Sequence, residues 1–148
     1  MATVPIRQSN GLTEGMGRIM KILLVEDSEG IRARLRALIG DWGGLATVSE
    51  AVGEREAVGD ACRVRPDLVI LDIKLAQGNG LEVLQSVKRC SPETRVAVLT
   101  SHVEAPYRRK CLESGADWFF DKAEGLDGIG WVLTEMMVAR LGVCDARH

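Results

Sequence analysis

An α/β domain, a parallel sheet covered by helices on both faces, is what this sequence predicts, and three observations predict it. Short apolar runs alternate with segments of helical period five times along the chain. Such alternation implies parallel strands joined by right-handed crossovers. One run, Leu68–Leu71 (LVIL), is apolar at every position, so it reads as a strand covered on both faces. The runs also end on polar or charged residues, and in open sheets of this kind ligands gather at the carboxyl ends of the strands.

The elements follow in order. Ile22–Val25 (ILLV) is the first strand, and Ile31–Trp42 a helix with Ile31, Leu35, Leu38 and Ile39 on one face. Gly43 and Gly44 break that helix, and Leu45–Val48 resumes an extended run. Glu54–Arg63 reads as the second helix, with Ala57, Val58, Ala61 and Cys62 inward and Gly59 as an unfavourable residue at its centre. Arg65-Pro66 ends the connection into the third strand, Leu68–Leu71. Leu81–Arg89 is the third helix, its stripe Leu81, Leu84 and Val87, and Val96–Leu99 the fourth strand. Pro106–Glu113 suits a helix with proline in its first turn. Gly115 leads into a fifth strand around Trp118–Phe120, and Leu126–Leu141 is the last helix, with Leu126, Ile129, Leu133, Met136 and Met137 as its stripe. Residues 1–20 read as a disordered tail, with Met16 or Met20 as alternative starts, residues 21–141 as one domain, and 142–148 as a short tail.

Composition removes several function classes. With 19 Lys+Arg against 21 Asp+Glu, the net charge of -2 leaves no electrostatic footprint for DNA, RNA or an anionic membrane. The apolar runs are too short to span a bilayer, and the N-terminus lacks the apolar core of a signal peptide. The expected location is the cytoplasm. Cys62, Cys90, Cys111 and Cys144 include no C-x-x-C pair and read as free thiols of a reducing compartment, not as zinc ligands or disulfides.

The chemistry lies at the strand ends. Strand one ends in Glu26-Asp27, strand three in Asp72, strand four in Thr100-Ser101, and strand five runs into Lys122. A parallel sheet brings all of these tips to one edge. Crowded carboxylates repel, so a pKa rises unless a cation stands between them. Oxygen ligands without His or Cys favour a hard ion, and Mg²⁺ suits a site that keeps several waters. A carboxylate can attack phosphorus and form an acyl phosphate, with a metal, a lysine and a hydroxyl on the phosphoryl oxygens. Asp72 is therefore the candidate phosphate acceptor.

The blocks KILLVEDSEGIRARL, RPDLVILDIKLAQGNGLEVL, VAVLTS and GADWFFDK resemble, in that order, the receiver domain of two-component response regulators. The resemblance covers about Lys21 to Leu141. It implies a flavodoxin-like, doubly wound sheet of order 2-1-3-4-5 with five helices. It also implies a regulatory phosphoacceptor rather than an enzyme, fed by a sensor histidine kinase or histidine phosphotransfer protein. By position, Glu26 and Asp27 match the acidic metal-binding pair and Asp72 the phosphoacceptor. Thr100 and Phe119 match the switch pair, Lys122 the lysine that meets the phosphoryl group, and the Lys74 backbone carbonyl a further metal ligand. Lys74 and His102, two residues beyond Asp72 and Thr100, take the places that tune phosphoryl lifetime. The fourth helix, fifth strand and fifth helix are the face through which receivers often dimerise and signal.

Several positions depart from the family pattern. Ala123 stands where proline usually follows the lysine after a cis bond; a cis bond before a non-proline costs about 2.5–4 kcal/mol, so a trans or strained bond is expected. Ala76-Gln77 replace the usual Pro-Gly, leaving Gly78 and Gly80 to make the turn. Ser101 replaces a smaller residue, and Phe119 stands where Tyr is frequent.

Blander readings stand beside these. Asp72 could be a turn or helix-capping residue, Glu26-Asp27-Ser28 a helix start, and His102 an exposed loop residue. GLDGIG at 125–130 has the wrong spacing and place for a dinucleotide loop. Trp131 and Val138 are residual core or a partner-facing patch, which Tyr107 and Cys111 could extend. The expected function is a stand-alone response regulator signalling through a downstream protein target, without direct DNA or membrane binding. The alternatives are a degenerate receiver acting as a scaffold, and an Mg²⁺-dependent phosphatase. Lys74 disfavours the last, because such enzymes commonly carry a second aspartate there.

Overall fold

In the computed structural model, which describes residues 18–141, five parallel strands form one sheet in the order β2-β1-β3-β4-β5. The strands are β1 (Met20–Val25), β2 (Ala46–Ala51), β3 (Leu68–Leu71), β4 (Arg95–Thr100) and β5 (Trp118–Asp121). Helices α1 (Glu29–Gly40), α2 (Glu54–Val64), α3 (Gly80–Cys90), α4 (Ala105–Glu113) and α5 (Asp127–Leu141) alternate with them. This is the expected doubly wound fold. The expected tails at 1–17 and 142–148, Cys144 included, lie outside the described residues.

β3 shows why an unbroken apolar run was needed. Val69 and Leu71 face the layer of α2, α3 and α4, packing with Ala57, Ala61, Val83, Leu84, Val87 and Cys111. Leu68 and Ile70 face α1 and α5, packing with Leu35, Ile39, Ile129, Val132, Leu133 and Met137. Burying each such side chain contributes roughly 1.5–3 kcal/mol, so neither face tolerates a polar residue.

Most differences from the sequence reading sit at element ends. α1 begins at Glu29 rather than Ile31 because Ser28 caps it, its Oγ accepting from the Ile31 N–H at 3.3 Å. β2 starts after a 3-10 turn at Gly43–Leu45 and continues through Glu50, which the apolar pattern did not cover. It is an edge strand, and Glu50 is held by Arg36 at 2.7 Å and Arg32 at 3.0 Å on α1. No cis peptide occurs among the described residues, so Lys122–Ala123 is trans. Its amide is used: Ala123 N–H, which a proline would lack, donates to Asp121 Oδ1 at 2.8 Å and starts the 3-10 turn Lys122–Glu124.

The cysteine reading needs correction. Cys62 and Cys90 form a disulfide, with Cα atoms 5.6 Å apart. The two residues are 28 apart in sequence, so only the side-by-side packing of α2 and α3 reveals the pair. Cys111 is free, as expected, but it is 1% exposed on the inward face of α4 and does not extend a surface with Tyr107. On α5, Trp131 is 53% exposed while Val138 is half-buried, so the two do not act as one patch.

Candidate functional site

The β-ladder carries the acidic residues to the carboxyl edge of the sheet. Glu26, one residue past β1, donates its N–H to Ala51 O at 3.2 Å; Asp72, one past β3, donates to Val25 O at 3.0 Å. Both therefore continue the strand register and are buried, with Asp27 beside them and more accessible. One carboxylate oxygen from each of Glu26, Asp27 and Asp72 lies within 4.8 Å of the others.

Lys122 reaches the same point from the end of β5. Its Nζ is 2.8 Å from Asp72 Oδ2 and 2.9 Å from Glu26 Oε1. Burial alone would depress the ammonium, but its hydrogen bonds to Asp72 and Glu26, reinforced by their charge, hold it above its ordinary range. Glu26 behaves differently. Burial pushes its carboxyl above the usual carboxylate range, although Lys122 and the Ser28 N–H, which donates at 3.0 Å, both favour the anion. The cost of burying the carboxylate outweighs the help of one lysine and one amide.

The loop after β3 supplies backbone donors. Lys74 N–H donates to Asp72 Oδ1 at 3.3 Å, and Ala76 N–H to Asp27 Oδ2 at 2.5 Å. Asp72 does make the turn contact of the bland reading, yet it caps no helix: Asn79 caps α3, accepting from Leu81 N–H at 2.8 Å. The loop closes tightly on Asp72, because a Cβ on Gly80 would stand 2.1 Å from the Asp72 carbonyl oxygen. Gly78, at φ +107°, makes the left-handed turn that the replaced Pro-Gly left open. Ser28, as the second bland reading foresaw, starts α1.

Thr100 is fully buried at the end of β4, and its Oγ1 accepts from His102 N–H at 3.1 Å. The His102 ring, half-buried, meets Tyr107 edge-on with centroids 6.0 Å apart. The Lys74 side chain is exposed. Phe119 is half-buried against the α2–α4 layer, with the Arg108 guanidinium 5.3 Å from its ring centroid. Sequence reasoning missed the Ala76 amide and Arg108. A backbone donor has no side-chain signature, and Arg108 is one cation among three in Arg108-Arg109-Lys110.

Three oxygen donors, with no His or Cys in the group, fit a hard divalent cation.

Comparison with known proteins gives the same picture. The family model for the response regulator receiver domain matches residues 22–130. The response regulator GacA of Pseudomonas syringae pv. syringae is 30% identical over 108 residues, 73% of this chain and 50% of that protein. The chain spans about half the length of the curated relatives it matches. Among solved structures, the response regulator domain of Thermotoga maritima CheB superposes with a TM-score of 0.69 at 26% identity, covering 84% of this chain and 98% of that one. The receiver domain of sensor histidine kinase PA1611 from Pseudomonas aeruginosa has a TM-score of 0.68 at 21% identity, covering 84% and 99%, and holds a magnesium ion in its active-site cleft.

Proposed function

This chain belongs to the response regulator receiver domain family, and from that membership we propose that Asp72 is its phosphoacceptor. The donor is a phosphohistidine on a sensor histidine kinase or a histidine phosphotransfer protein. The observation that carries the reading is the cluster of Glu26, Asp27 and Asp72 with Lys122 Nζ 2.8 Å from the Asp72 carboxylate.

In the transfer, a carboxylate oxygen of Asp72 attacks phosphorus, the P–N bond breaks, and the imidazole nitrogen keeps the electron pair. Glu26, Asp27, Asp72 and the Lys74 backbone carbonyl would hold Mg²⁺, which supplies positive charge to the phosphoryl oxygens when bound. Lys122 exchanges its Asp72 contact for a phosphoryl oxygen. Thr100 Oγ1 accepts from His102 N–H, so its own proton remains available to donate to the phosphoryl group. Movement of Thr100 toward the site frees space for Phe119, and the two-state equilibrium shifts with the gain in phosphoryl contacts. Lys74 and His102 stand beside the phosphoryl position and set the access of hydrolytic water, so substituting either changes phosphoryl lifetime without abolishing labelling. Output in the cytoplasm runs through contacts with a downstream protein or a second copy. The face of α4, β5 and α5, where Tyr107 and Trp131 are exposed, suits that role.

Intact-mass spectrometry after incubation with a small acyl-phosphate donor tests the proposal. One phosphoryl group should appear with Mg²⁺, none without it, and none in Asp72→Ala. If labelling by the donor and formation of a beryllofluoride complex both fail, the domain acts as a phosphorylation-independent scaffold.

A further inference from the structure

The Cys62–Cys90 bridge joins the C-terminal turns of α2 and α3. Both residues are half-buried. The helices they join already pack through Ala57, Ala61, Val83, Leu84 and Val87, so apolar burial holds them together without the bridge. A pair opened in the folded protein therefore stays juxtaposed and can close again. Cys111 contrasts with it: burial pushes its thiol pKa up and keeps it from exchange.

The position of the bridge matters for the loop after β3. It closes a ring that spans β3, Asp72 and the whole loop from Ile73 to Asn79. At the opposite end of the same helix pair, Glu54 on α2 grips that loop. Its Oε1 accepts from Asn79 N–H at 2.9 Å, and its own N–H donates to Gln77 O at 2.9 Å. One residue before Gln77, Ala76 N–H holds Asp27. The α2–α3 pair is thus fastened to the loop at one end and by sulfur at the other.

We propose that Cys62–Cys90 is a reversible thiol–disulfide site, exchanging with a low-molecular-weight couple of the glutathione class, whose closure stiffens α2, α3 and the loop at the acidic cluster. In closing, one cysteine thiolate attacks the small disulfide and expels one small thiolate, leaving a mixed disulfide. The second cysteine thiolate attacks the protein sulfur of that intermediate and expels the other. Two protons leave the protein, and its two electrons reduce the small disulfide to two thiols. Opening is the reverse. Where small thiols buffer the compartment, a bridge that is only partly buried is poised to exchange rather than persist. The inference does not depend on the phosphoacceptor role, since its readouts need no phosphoryl group.

The test equilibrates the full chain in reduced and oxidised glutathione over a range of ratios, followed by alkylation, peptide mapping and amide hydrogen exchange. Cys62 and Cys90 should pass together between alkylated and bridged forms while the far-ultraviolet circular dichroism stays that of the folded protein. The bridged form should melt roughly 10 °C higher, as loop closure of this length implies. Amides from Ile73 to Asn79 should exchange severalfold faster in the open form. The double variant Cys62→Ser/Cys90→Ser should match the open form at every ratio, and Cys111→Ser should respond like the parent. The proposal is overturned if the bridge reduces only on unfolding, if Cys90 pairs with another cysteine, or if loop exchange is the same in both forms.

Discussion

At Glu26 a single residue couples pH to stability. The side chain is 3% exposed, and burial raises its pKa in the folded protein. A group whose folded pKa lies above its unfolded value contributes stability that is full below the unfolded pKa and is lost as pH rises through the folded one. Without a divalent cation, Glu26 therefore lowers stability progressively from about pH 4.5 upward. Lys122, also raised, follows the same sign at the alkaline end, losing its contribution only as pH passes through its folded value, so it does not enter the acid-to-neutral window. Glu26→Gln keeps the side-chain shape and an oxygen for the Ser28 N–H while removing the titration. Its melting temperature without Mg²⁺ should vary less between acid and neutral pH than that of the parent, and should gain less when Mg²⁺ is added. Thermal melts with equal pH slopes for the two proteins would show that the burial of Glu26 is not what couples pH to stability.

Helices α2 and α3 provide a matched pair of glycine substitutions at the scale of the element. Gly80 opens α3 against the Asp72 carbonyl, where a Cβ would stand at 2.1 Å, and its N–H donates to Ile73 O at 2.6 Å. Gly80→Ala must displace the loop or the helix start. A destabilisation of about 1–3 kcal/mol is expected, as for other overpacked sites. Gly59 sits in the interior of α2 with nothing within 4 Å of its Cβ position. Gly59→Ala should stabilise by about 0.5–1 kcal/mol through helix propensity and a less disordered unfolded chain. Urea midpoints check both signs. If Gly80→Ala proved neutral, the loop would be far more compliant than its contact with Asp72 implies.

The whole molecule is closed at the edge of the sheet opposite the acidic cluster. Arg140, near the end of α5, donates to Asp67 Oδ2 at 3.0 Å and to Arg18 O at 3.1 Å, while Lys21 N–H donates to the same Asp67 oxygen at 2.8 Å. The last helix, the start of β1 and the approach to β3 thus share one carboxylate. Arg140→Ala leaves Asp67 half-buried with fewer donors and should cost about 1–3 kcal/mol in denaturant unfolding. Amide exchange should quicken at the end of α5 and the start of β1 before it does at Glu26 or Asp72. Equal acceleration at both edges would mean that the clasp supports the global fold rather than local closure.

Much of the architecture was determined by the sequence alone. A strand covered on both faces must be apolar at every position, which made β3 legible, and helical spacing located α1 through α5. Parallel strands bring their carboxyl ends to one edge, so Glu26, Asp27, Asp72 and Lys122 could be placed together without coordinates. What only the tertiary structure decided depends on distances between elements. The Cys62–Cys90 bridge needs α2 and α3 side by side, and the burial of Cys111 needs α4 lying over the sheet. The continuation of β2 through Glu50 needs arginines on α1 to hold an edge-strand charge. The two-way contact of Lys122 with Asp72 and Glu26 is likewise set by packing, because local periodicity fixes which face a side chain occupies and not which partner it meets there.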